Sequence, residues 1–410
     1  ADIDRAVSRI LRLKFKMGLF DNPYVKVKKA EKLIGTSGHR EVAREVARQS
    51  VVLLKNENQL LPLSKEVKRV AVIGPNADNV YNQLGDYTAP QAPGSVITVL
   101  EGIRQKLPGA EVRYVKGCAV RDTLDTSIGE ACETAKNSDV VVVVLGGSSA
   151  RDFETDFLET GAAVANERKV SDMESGEGFD RIGLSLMGKQ VELLKALYAT
   201  GRPVVLVMVQ GRPLELNWAA EHIPAILTTW YPGGEGGRAI ADVLFGDYNP
   251  AGRLPLSYPR HVGQLPVYYN HKSAERHDYV EGTAAPLYPF GFGLSYTTFV
   301  YEGIDVRVEG DSVRVSVDVK NVGGRAGDEV VQLYLRDEQA SVVTPFMQLK
   351  AFQRVHLTSG ESRRVEFVLT EEHLRVLDTS LNWRVEPGWF PVMIGASSQD
   401  IRQRTRFRID

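Results

Sequence analysis

Apolar residues recur with several periods along this chain, and each period predicts a different kind of element. Near the start they follow helical spacing, and Gly18 comes after them as a plausible helix stop. We predict an amphipathic helix there, and its apolar face needs a partner surface. The residues of that face are Ile3, Val7, Ile10, Leu11 and Phe15.

From about Ser37 to Gly246 the pattern alternates between helix and strand. Continuous rather than alternating apolar strands, separated by helices, are typical of a parallel sheet covered on both faces. We therefore predict an α/β sandwich with a mostly parallel sheet. The predicted strands are Val70–Ile73, Val140–Leu145, Val204–Val209 and Ala225–Leu227. The predicted helices are Glu41–Leu54 (with Val42, Val46 and Leu53 toward a core), Ile97–Leu107, Lys189–Tyr198 and Arg238–Leu244.

After Phe299 the apolar period changes to two, which predicts half-buried strands. Short alternating strands over this stretch favour an all-β sandwich of the immunoglobulin-like or fibronectin type III-like kind. Before it lies a segment rich in Pro, Gly and Tyr that we interpret as a wrapping linker. We expect the boundaries at 37–260 for the α/β sandwich, 261–298 for the linker and 299–410 for the β-sandwich. The alternating residues are Val313, Val315, Val317 and Val319, then Val331, Leu333 and Leu335, then Val365, Phe367 and Leu369.

Charge and composition exclude several classes of partner. A formal net charge of −2 gives no basic field, so neither nucleic acid nor a membrane surface is predicted. The longest apolar run, Val140–Leu145, is too short for a membrane span. Ala1–Arg5 lacks signal-peptide features, but a processed chain would look the same, so compartment stays open. Cys118 and Cys132 are expected to be buried or free thiols, with a disulfide left open.

The long segment between Gly146 and Gly188 is the strongest candidate for chemistry, since long loops in compact domains are often functional. It leaves the carboxyl end of a predicted parallel strand, where ligands gather in open α/β sheets. Most of its acids, taken singly, suit a solvated loop. Glu177, however, stands between two glycines, and we expect Asp180 and Arg181 to form a local ion pair at the loop's base. The nine carboxylates are Asp152, Glu154, Asp156, Glu159, Glu167, Asp172, Glu174, Glu177 and Asp180.

Several motifs, in the same order along nearly the whole chain, resemble glycoside hydrolase family 3. The string Ser175–Arg181 (SGEGFDR) resembles that family's acid/base loop. Val331–Tyr334 and Trp383 are similar to the fibronectin-like domain of many members. The other matching segments are Ile10–Phe15 with Gly18–Pro23, Val52–Asn56 with Leu61–Leu63, Trp230–Gly233 with Glu235–Gly237, Asn249–Pro255 and Tyr288–Tyr296.

The resemblance implies a retaining mechanism, with an aspartate nucleophile on a barrel domain and a glutamate acid/base on the sandwich-domain loop. Carried over, the acid/base is Glu177, and Glu174 is the runner-up. The implied function is the C-terminal part of a retaining β-glucosidase that hydrolyses terminal β-linked glucose from glucosides or oligosaccharides. A β-xylosidase of the same family is the close alternative, and a non-catalytic scaffold or interaction module is the alternative from another class.

The family's barrel is the main departure. Residues 1–36 resemble only its end plus a linker, and no Ser-Asp-Trp-like nucleophile motif is present. We therefore expect the chain alone to be inactive, and a companion barrel-domain chain to supply the nucleophile and the sugar pocket. The resemblance favours a periplasmic or secreted location, and homo-oligomerisation stays open.

Other groups of residues in the sequence suggest weaker alternatives. Arg151 and Asp152 could reach a sugar hydroxyl, although a structural ion pair is the simpler interpretation. Gly146–Ser149 could line a cleft beneath Glu177 or form a plain turn. The pair Trp230-Tyr231 could stack on a sugar ring or belong to the core. Val70–Asn76 lacks GxGxxG, which argues against a dinucleotide site. The seven histidines form no HExxH or Cys/His cluster and no GxSxG is present, so neither a metal, a cofactor nor a serine-hydrolase mechanism is expected.

Overall fold

The structure, a computed structural model, describes residues 1–150, 158–160, 172–176, 178, 180–272 and 278–410. These residues fall into two units, Ala1–Ala43 and Arg44–Asp410. Each unit is described by itself.

In the first unit the predicted amphipathic helix is confirmed as α1 (Asp2–Lys16), and α2 (Val27–Leu33) follows it. None of the residues of α1 is buried. Acidic residues in its first turn and lysines in its last turn complement the helix dipole. After the helix, the backbone passes through Gly18 at a φ of 66°, which glycine adopts readily.

Helix α3 (Ser37–Ser50) ends earlier than the predicted helix Glu41–Leu54. The prediction is wrong at its C-terminal part, because Leu53 lies in the strand Val52–Asn56. The residues from Val51 to Leu54 are all apolar and all buried. Such a run suits a strand covered on both faces better than a helix with one apolar stripe.

The predicted core face of this helix is also wrong. Val42 and Val46 are 65% and 63% exposed, whereas Ala47 is buried. Arg44 lies one turn from Ala47 and pairs with the buried Asp242 at 2.7 Å. A charged contact therefore holds the second half of α3, in place of the predicted valine packing.

Six strands among the described residues form one mixed sheet: β1 (Val52–Asn56), β2 (Arg69–Ile73), β3 (Glu111–Val115), β4 (Val140–Gly146), β5 (Val204–Val209) and β6 (Ala225–Trp230). Their order is β1-β6-β5-β4-β2-β3. Only β1 is antiparallel to its neighbour, and the other described pairs are parallel. Every residue of β4 and β5 is buried, as expected for a sheet covered on both faces. The predicted α/β sandwich is confirmed.

Two apolar cores lie on the two faces of this sheet. One combines α6 (Ile128–Lys136), α7 (Gln190–Tyr198) and α8 (Asn217–His222) with the sheet, and the other combines α5 (Val99–Lys106) and α9 (Gly236–Leu244) with it. The three later predicted helices are observed as α5, α7 and α9, each within two residues of the predicted bounds. The helices of this part are α4 (Val80–Leu84), α5 (Val99–Lys106), α6 (Ile128–Lys136), α7 (Gln190–Tyr198), α8 (Asn217–His222) and α9 (Gly236–Leu244), with 3-10 turns at Glu57–Gln59 and Val262–Gln264.

The segment after α9 runs back across the sheet before entering the β-sandwich. Leu294 bridges to Leu53 of the edge strand β1. The buried Tyr258 hydroxyl accepts a hydrogen bond from Gln210 Nε2 at 2.6 Å. Arg253 pairs with Glu329 of the β-sandwich at 2.7 Å. This segment therefore contacts both the α/β sandwich and the β-sandwich.

The β-sandwich has a four-stranded and a three-stranded antiparallel sheet built from β7 (Phe299–Glu309), β8 (Ser312–Asn321), β9 (Gly327–Leu335), β10 (Gln348–Leu357), β11 (Ser362–Leu369), β14 (Gly388–Gly395) and β15 (Ile401–Ile409). The orders are β10-β9-β14-β15 and β11-β8-β7. The ten residues predicted to alternate inward are all buried in one core. A short helix and a two-strand hairpin close one end: α10 (Glu371–Leu374), β12 (Val376–Leu377) and β13 (Trp383–Arg384). The predicted all-β sandwich is confirmed.

Candidate active site

The turn after β4, residues 146–149, is held by buried amide side chains. Gln190 Oε1 accepts from the Gly146 N–H at 2.9 Å, and Gln190 Nε2 donates to the Gly146 carbonyl at 3.0 Å. Asn76 Nδ2 donates to the Gly147 carbonyl at 3.1 Å. Ser148 Oγ donates to Asn82 Oδ1 at 2.6 Å. Because these partners come from separate elements, the turn is fixed at the carboxyl edge of the sheet.

Glu174 is attached directly to this turn. Its backbone N–H donates to the Ser148 carbonyl at 2.8 Å. A Cβ at Gly147 would lie 2.1 Å from Glu174 Oε1, so any larger residue there would collide with the carboxylate. Gly147 is therefore needed for the close approach of the two segments.

The Glu174 carboxylate forms a buried ion pair with Arg181. Arg181 Nη1 donates to Glu174 Oε2, and the two side chains are 8% and 3% exposed. Burial raises the pKa of the Glu174 carboxyl, while Arg181, Arg212 and Arg121 oppose that rise. Arg121 also donates to the Met173 carbonyl at 2.7 Å. The segment before position 177 is thus anchored by charge and by backbone contacts.

The sequence predicted a local ion pair between Asp180 and Arg181, and this is wrong. Arg181 gives only its backbone N–H to Asp180 Oδ1, at 2.7 Å. The Asp180 carboxylate pairs instead with Arg212 at 2.7 Å. Adjacent side chains point apart here, so each pairs with a partner on a different side of the loop. The backbone hydrogen bond and Arg212 lower the pKa of Asp180.

Tyr231 forms another wall and is packed against glycines. A Cβ at Gly211 would lie 2.7 Å from its ring, and one at Gly85 would lie 2.6 Å from it. Burial raises the pKa of the Tyr231 hydroxyl, and a hydrogen bond with Ser149 opposes the rise. The preceding residue, Trp230, has a φ of 56° and packs against the core. Of the aromatic pair noted in the sequence, Trp230 is core and Tyr231 belongs to the cleft.

These groups surround an open cleft of about 640 Å³. That volume lies within the range of small-molecule sites, about 300–1,000 Å³. The described lining combines carboxylates, the Arg212 guanidinium, hydroxyls and two tyrosine rings, as a site for a hydroxyl-rich ligand requires. The lining residues are Asp86, Tyr87, Ser149, Glu174, Ser175, Gly176, Gly178, Asp180, Gly211, Arg212 and Tyr231.

Of the predicted site residues, the structure describes Glu174 but not the other three. Glu174 lines the cleft, with its carboxylate turned to Arg181. Glu177, Arg151 and Asp152 lie outside the described residues. The two glycines beside Glu177 both line the cleft, and Gly178 has a φ of 87°.

Arg212 and Tyr87 were missed by the sequence reasoning. Arg212 follows Gly211 just after β5, and the carboxyl end of a parallel strand is where ligand-binding residues collect. That signal was available for Arg212. Tyr87 lies in an irregular stretch and has a φ of 60°, rare for a residue with a side chain. No period in the sequence marks such a position.

Among the residues that the structure describes, no group of three or more His, Cys, Asp or Glu side chains is placed to hold a metal ion. Cys118 and Cys132 are free thiols, as predicted. In the same part of the chain, no helix has the length and apolar character needed to cross a membrane.

Comparison with known proteins agrees with the fold and the motifs. The family described as Glycosyl hydrolase family 3 C-terminal domain matches residues 51–296. A second family, the Fibronectin type III-like domain, matches residues 329–398. The first match covers more than half of the chain, so the chain belongs to glycosyl hydrolase family 3 and contains the C-terminal domain of that family. The resemblance drawn from the motifs is confirmed.

Two curated relatives and one solved structure illustrate this similarity. A "Beta-xylosidase" of Formosa agariphila is 42% identical over 97% of this chain and 54% of its own length. A "Periplasmic beta-glucosidase" of Salmonella typhimurium is 38% identical over 98% of this chain and 55% of its own. The structure of a β-glucosidase from Erythrobacter marinus is 40% identical with a TM-score of 0.87, covering 99% of this chain and 55% of that one. The chain therefore spans about half the length of the relatives it matches.

Proposed function

We propose that this chain is the C-terminal part of a retaining β-glucosidase and supplies its general acid/base, Glu177. A barrel segment supplies the aspartate nucleophile and the pocket for the terminal sugar. The relatives named above are about twice as long as this chain. This difference in length supports a barrel segment of about the same size as the chain itself.

The observation that carries the proposal is the arrangement around position 177. Gly176 and Gly178 line the same cleft as Arg212 and Tyr231. Glu174, the runner-up, is 3% exposed and already paired with Arg181. A general acid must reach the glycosidic oxygen, and a buried carboxylate occupied by a guanidinium is not free to do so. This favours Glu177 over Glu174.

The chemistry follows from the retaining mechanism. The Glu177 carboxylic acid donates its proton to the glycosidic oxygen as the barrel aspartate attacks the anomeric carbon. The resulting carboxylate then takes a proton from the water that releases the sugar. The two carboxyl groups need a separation of about 5–5.5 Å. We propose that Arg151 and Asp152 assist by contacting sugar hydroxyls.

Glucose is the proposed terminal sugar, and xylose is the alternative favoured by the 42% identity to the Formosa β-xylosidase. The periplasmic relative supports a periplasmic or secreted location for this protein. We retain the proposed boundaries of 1–36 for the barrel end with its linker, 37–260 for the catalytic α/β sandwich, 261–298 for the linker and 299–410 for the fibronectin-like domain.

The test compares this chain alone with the enzyme assembled from this chain and its barrel segment. We expect no turnover of 4-nitrophenyl β-glucoside by the chain alone and clear turnover by the assembly. A higher kcat/KM for the β-xyloside than for the β-glucoside would replace the proposed sugar. An assembly that turns over neither substrate would favour a scaffold role for the chain.

A further inference from the structure

A second cavity lies at one end of the fibronectin-like sandwich, far along the chain from the candidate active site. Its volume is about 490 Å³. The residue after β9, strand β10 and the closing hairpin contribute to its walls. The three residues that matter most are Asp337, Lys350 and Trp383. We call it the sandwich-end cavity.

Asp337 presents a buried acceptor that the fold does not use. Its Oδ1 accepts from the Gln339 N–H at 3.1 Å, whereas its Oδ2 is buried and has no hydrogen-bond partner among the described residues. Burial raises the pKa of this carboxyl, and the nearby Glu386 raises it further. Nearly all buried polar atoms in proteins are paired, so an unpaired carboxylate oxygen in a cavity wall is an acceptor open to the donor of a ligand.

Lys350 presents hydrogen-bond donors that need an acceptor. It lies at the irregularity in the pairing of β10 with β9, between Leu349 and Ala351. Burial lowers the pKa of its ammonium. Among the side-chain hydrogen bonds and ion pairs of the described residues, none involves this ammonium. Its donors are therefore available to a ligand.

Trp383 supplies an aromatic surface at the same cavity. Its side chain is 57% exposed on strand β13. The guanidinium carbon of Arg375 lies 4.9 Å from the ring centroid and restrains the indole. An exposed, restrained indole beside buried polar groups offers the apolar platform on which a sugar ring packs.

We propose that the sandwich-end cavity is an accessory binding site for a β-linked oligosaccharide. A sugar hydroxyl both donates and accepts, so neighbouring hydroxyls satisfy Asp337 Oδ2 and the Lys350 ammonium together. A simple anion would satisfy Lys350 but leave Asp337 unpaired, and a simple cation would do the reverse. The apolar face of the pyranose ring lies against Trp383. This binding needs neither the proposed acid/base nor the barrel.

The test is a fluorescence and calorimetric titration of the full 410-residue chain with cellotriose and xylotriose. We expect saturable binding in the millimolar range or tighter. Trp383→Ala should weaken it about tenfold, the worth of one aromatic contact. The matched control is Trp389→Ala, since Trp389 lies in the same domain, stacks with Arg406 at 4.3 Å and does not line the cavity.

Asp337→Asn and Lys350→Met extend the test to the polar pair, with thermal melts to confirm folding. Both should weaken binding while Trp389→Ala leaves it unchanged. Titration with inorganic phosphate provides the anion arm. No saturable sugar binding, equal loss in both tryptophan variants, or phosphate binding through Lys350 without sugar binding would each overturn the proposal.

Discussion

Arg181 donates a hydrogen bond to Glu174 seven positions before it, and both side chains are almost completely buried. The pair joins position 174 to position 181 by charge. Arg181 Nη2 also donates to the Ser185 carbonyl, which ties the loop to the chain that follows. We propose that fixing positions 174 and 181 in this way reduces the conformational entropy that is lost when Glu177 docks on a neighbouring segment.

Breaking this pair should impair catalysis without removing the acid. We predict that Glu174→Gln in the assembled enzyme lowers kcat/KM on the order of 10²-fold, because displacement by about 1 Å costs that much. Azide should not restore the rate. The apparent pKa of the alkaline limb of the pH–rate profile should match that of the wild-type enzyme. Glu215→Gln, at a more exposed carboxylate bonded to Ser185, is the control. Rescue of Glu174→Gln by azide would make Glu174 the acid/base instead.

Gly211 leaves room for the Tyr231 ring to pack in the cleft wall. A methyl group at position 211 would lie 2.7 Å from the ring, so we predict that Gly211→Ala displaces Tyr231. The expected results are a raised KM for the assembled enzyme and a loss of about 1–3 kcal/mol in the free energy of unfolding. Gly109→Ala is the control, since a Cβ at position 109 would have no described atom within 4 Å. Equal effects of the two changes would contradict this role.

Asp242 holds three cations and is itself fully buried. Its carboxylate accepts from Arg44 at 2.7 Å, from Arg48 at 2.7 Å and from Lys106 at 2.5 Å. We predict that Asp242→Asn lowers the free energy of unfolding by about 3 kcal/mol, because it removes the buried counter-charge that the three cations share. Asp139→Asn breaks an exposed pair with Arg69 and should lower the free energy of unfolding far less, because solvent screens exposed charges. Denaturant titration of both variants measures the difference.

The pH dependence of this cluster has a definite sign. Burial raises the pKa of Asp242, but hydrogen bonds from Lys106, Arg48 and Arg44 outweigh it and place the pKa below 3.8. The stability that the carboxylate contributes is therefore present above pH 3.8 and is lost as pH falls through the lower, folded-state pKa. The gap between wild type and Asp242→Asn should shrink only in that acid range. A gap that closes near neutrality would contradict the assignment.

The two thiols should react at different rates. Burial raises the pKa of Cys118 to about 12, and Asp172 adds to the rise. Cys132 is partly exposed, and burial raises its pKa as well. Because the thiolate is the reactive form, we predict that a disulfide reagent labels Cys132 first and Cys118 only on unfolding. Fast labelling of the Cys132→Ser variant in its native state would contradict this.

The strands with continuous apolar sequence were predictable. A run as short as Val204–Val209 that is apolar throughout suits a buried strand better than a helix. The edge strand Val52–Asn56 was not, because it follows a helical pattern without a turn signal. Strand β14 was missed for another reason: Pro391 interrupts it and normally argues against a central strand. There Pro391 lies in the ladder with β15, and its carbonyl accepts from the Arg336 N–H at 3.1 Å.

The candidate site was predictable only as far as its motif. The segment SGEGFDR marked the loop, but the partners of Asp180 and Arg181 depend on side-chain directions that sequence neighbours do not reveal. Arg181 turns to Glu174 and Asp180 turns to Arg212. The cavity beside Trp383 carries no motif at all, since Asp337 and Lys350 come to line one cavity only through the pairing of β9 with β10.

The most direct measurement is the turnover of cellobiose, an unactivated glucoside, and of 4-nitrophenyl β-glucoside by Glu177→Ala in the assembled enzyme, with and without azide, beside Glu174→Ala. We predict a fall in kcat/KM of about 10²–10⁴-fold for an unactivated glucoside with Glu177→Ala. Azide should restore the aryl glucoside rate and yield β-glucosyl azide with that variant alone. An unchanged rate with Glu177→Ala, or rescue of Glu174→Ala in its place, would contradict the assignment of Glu177 as the acid/base.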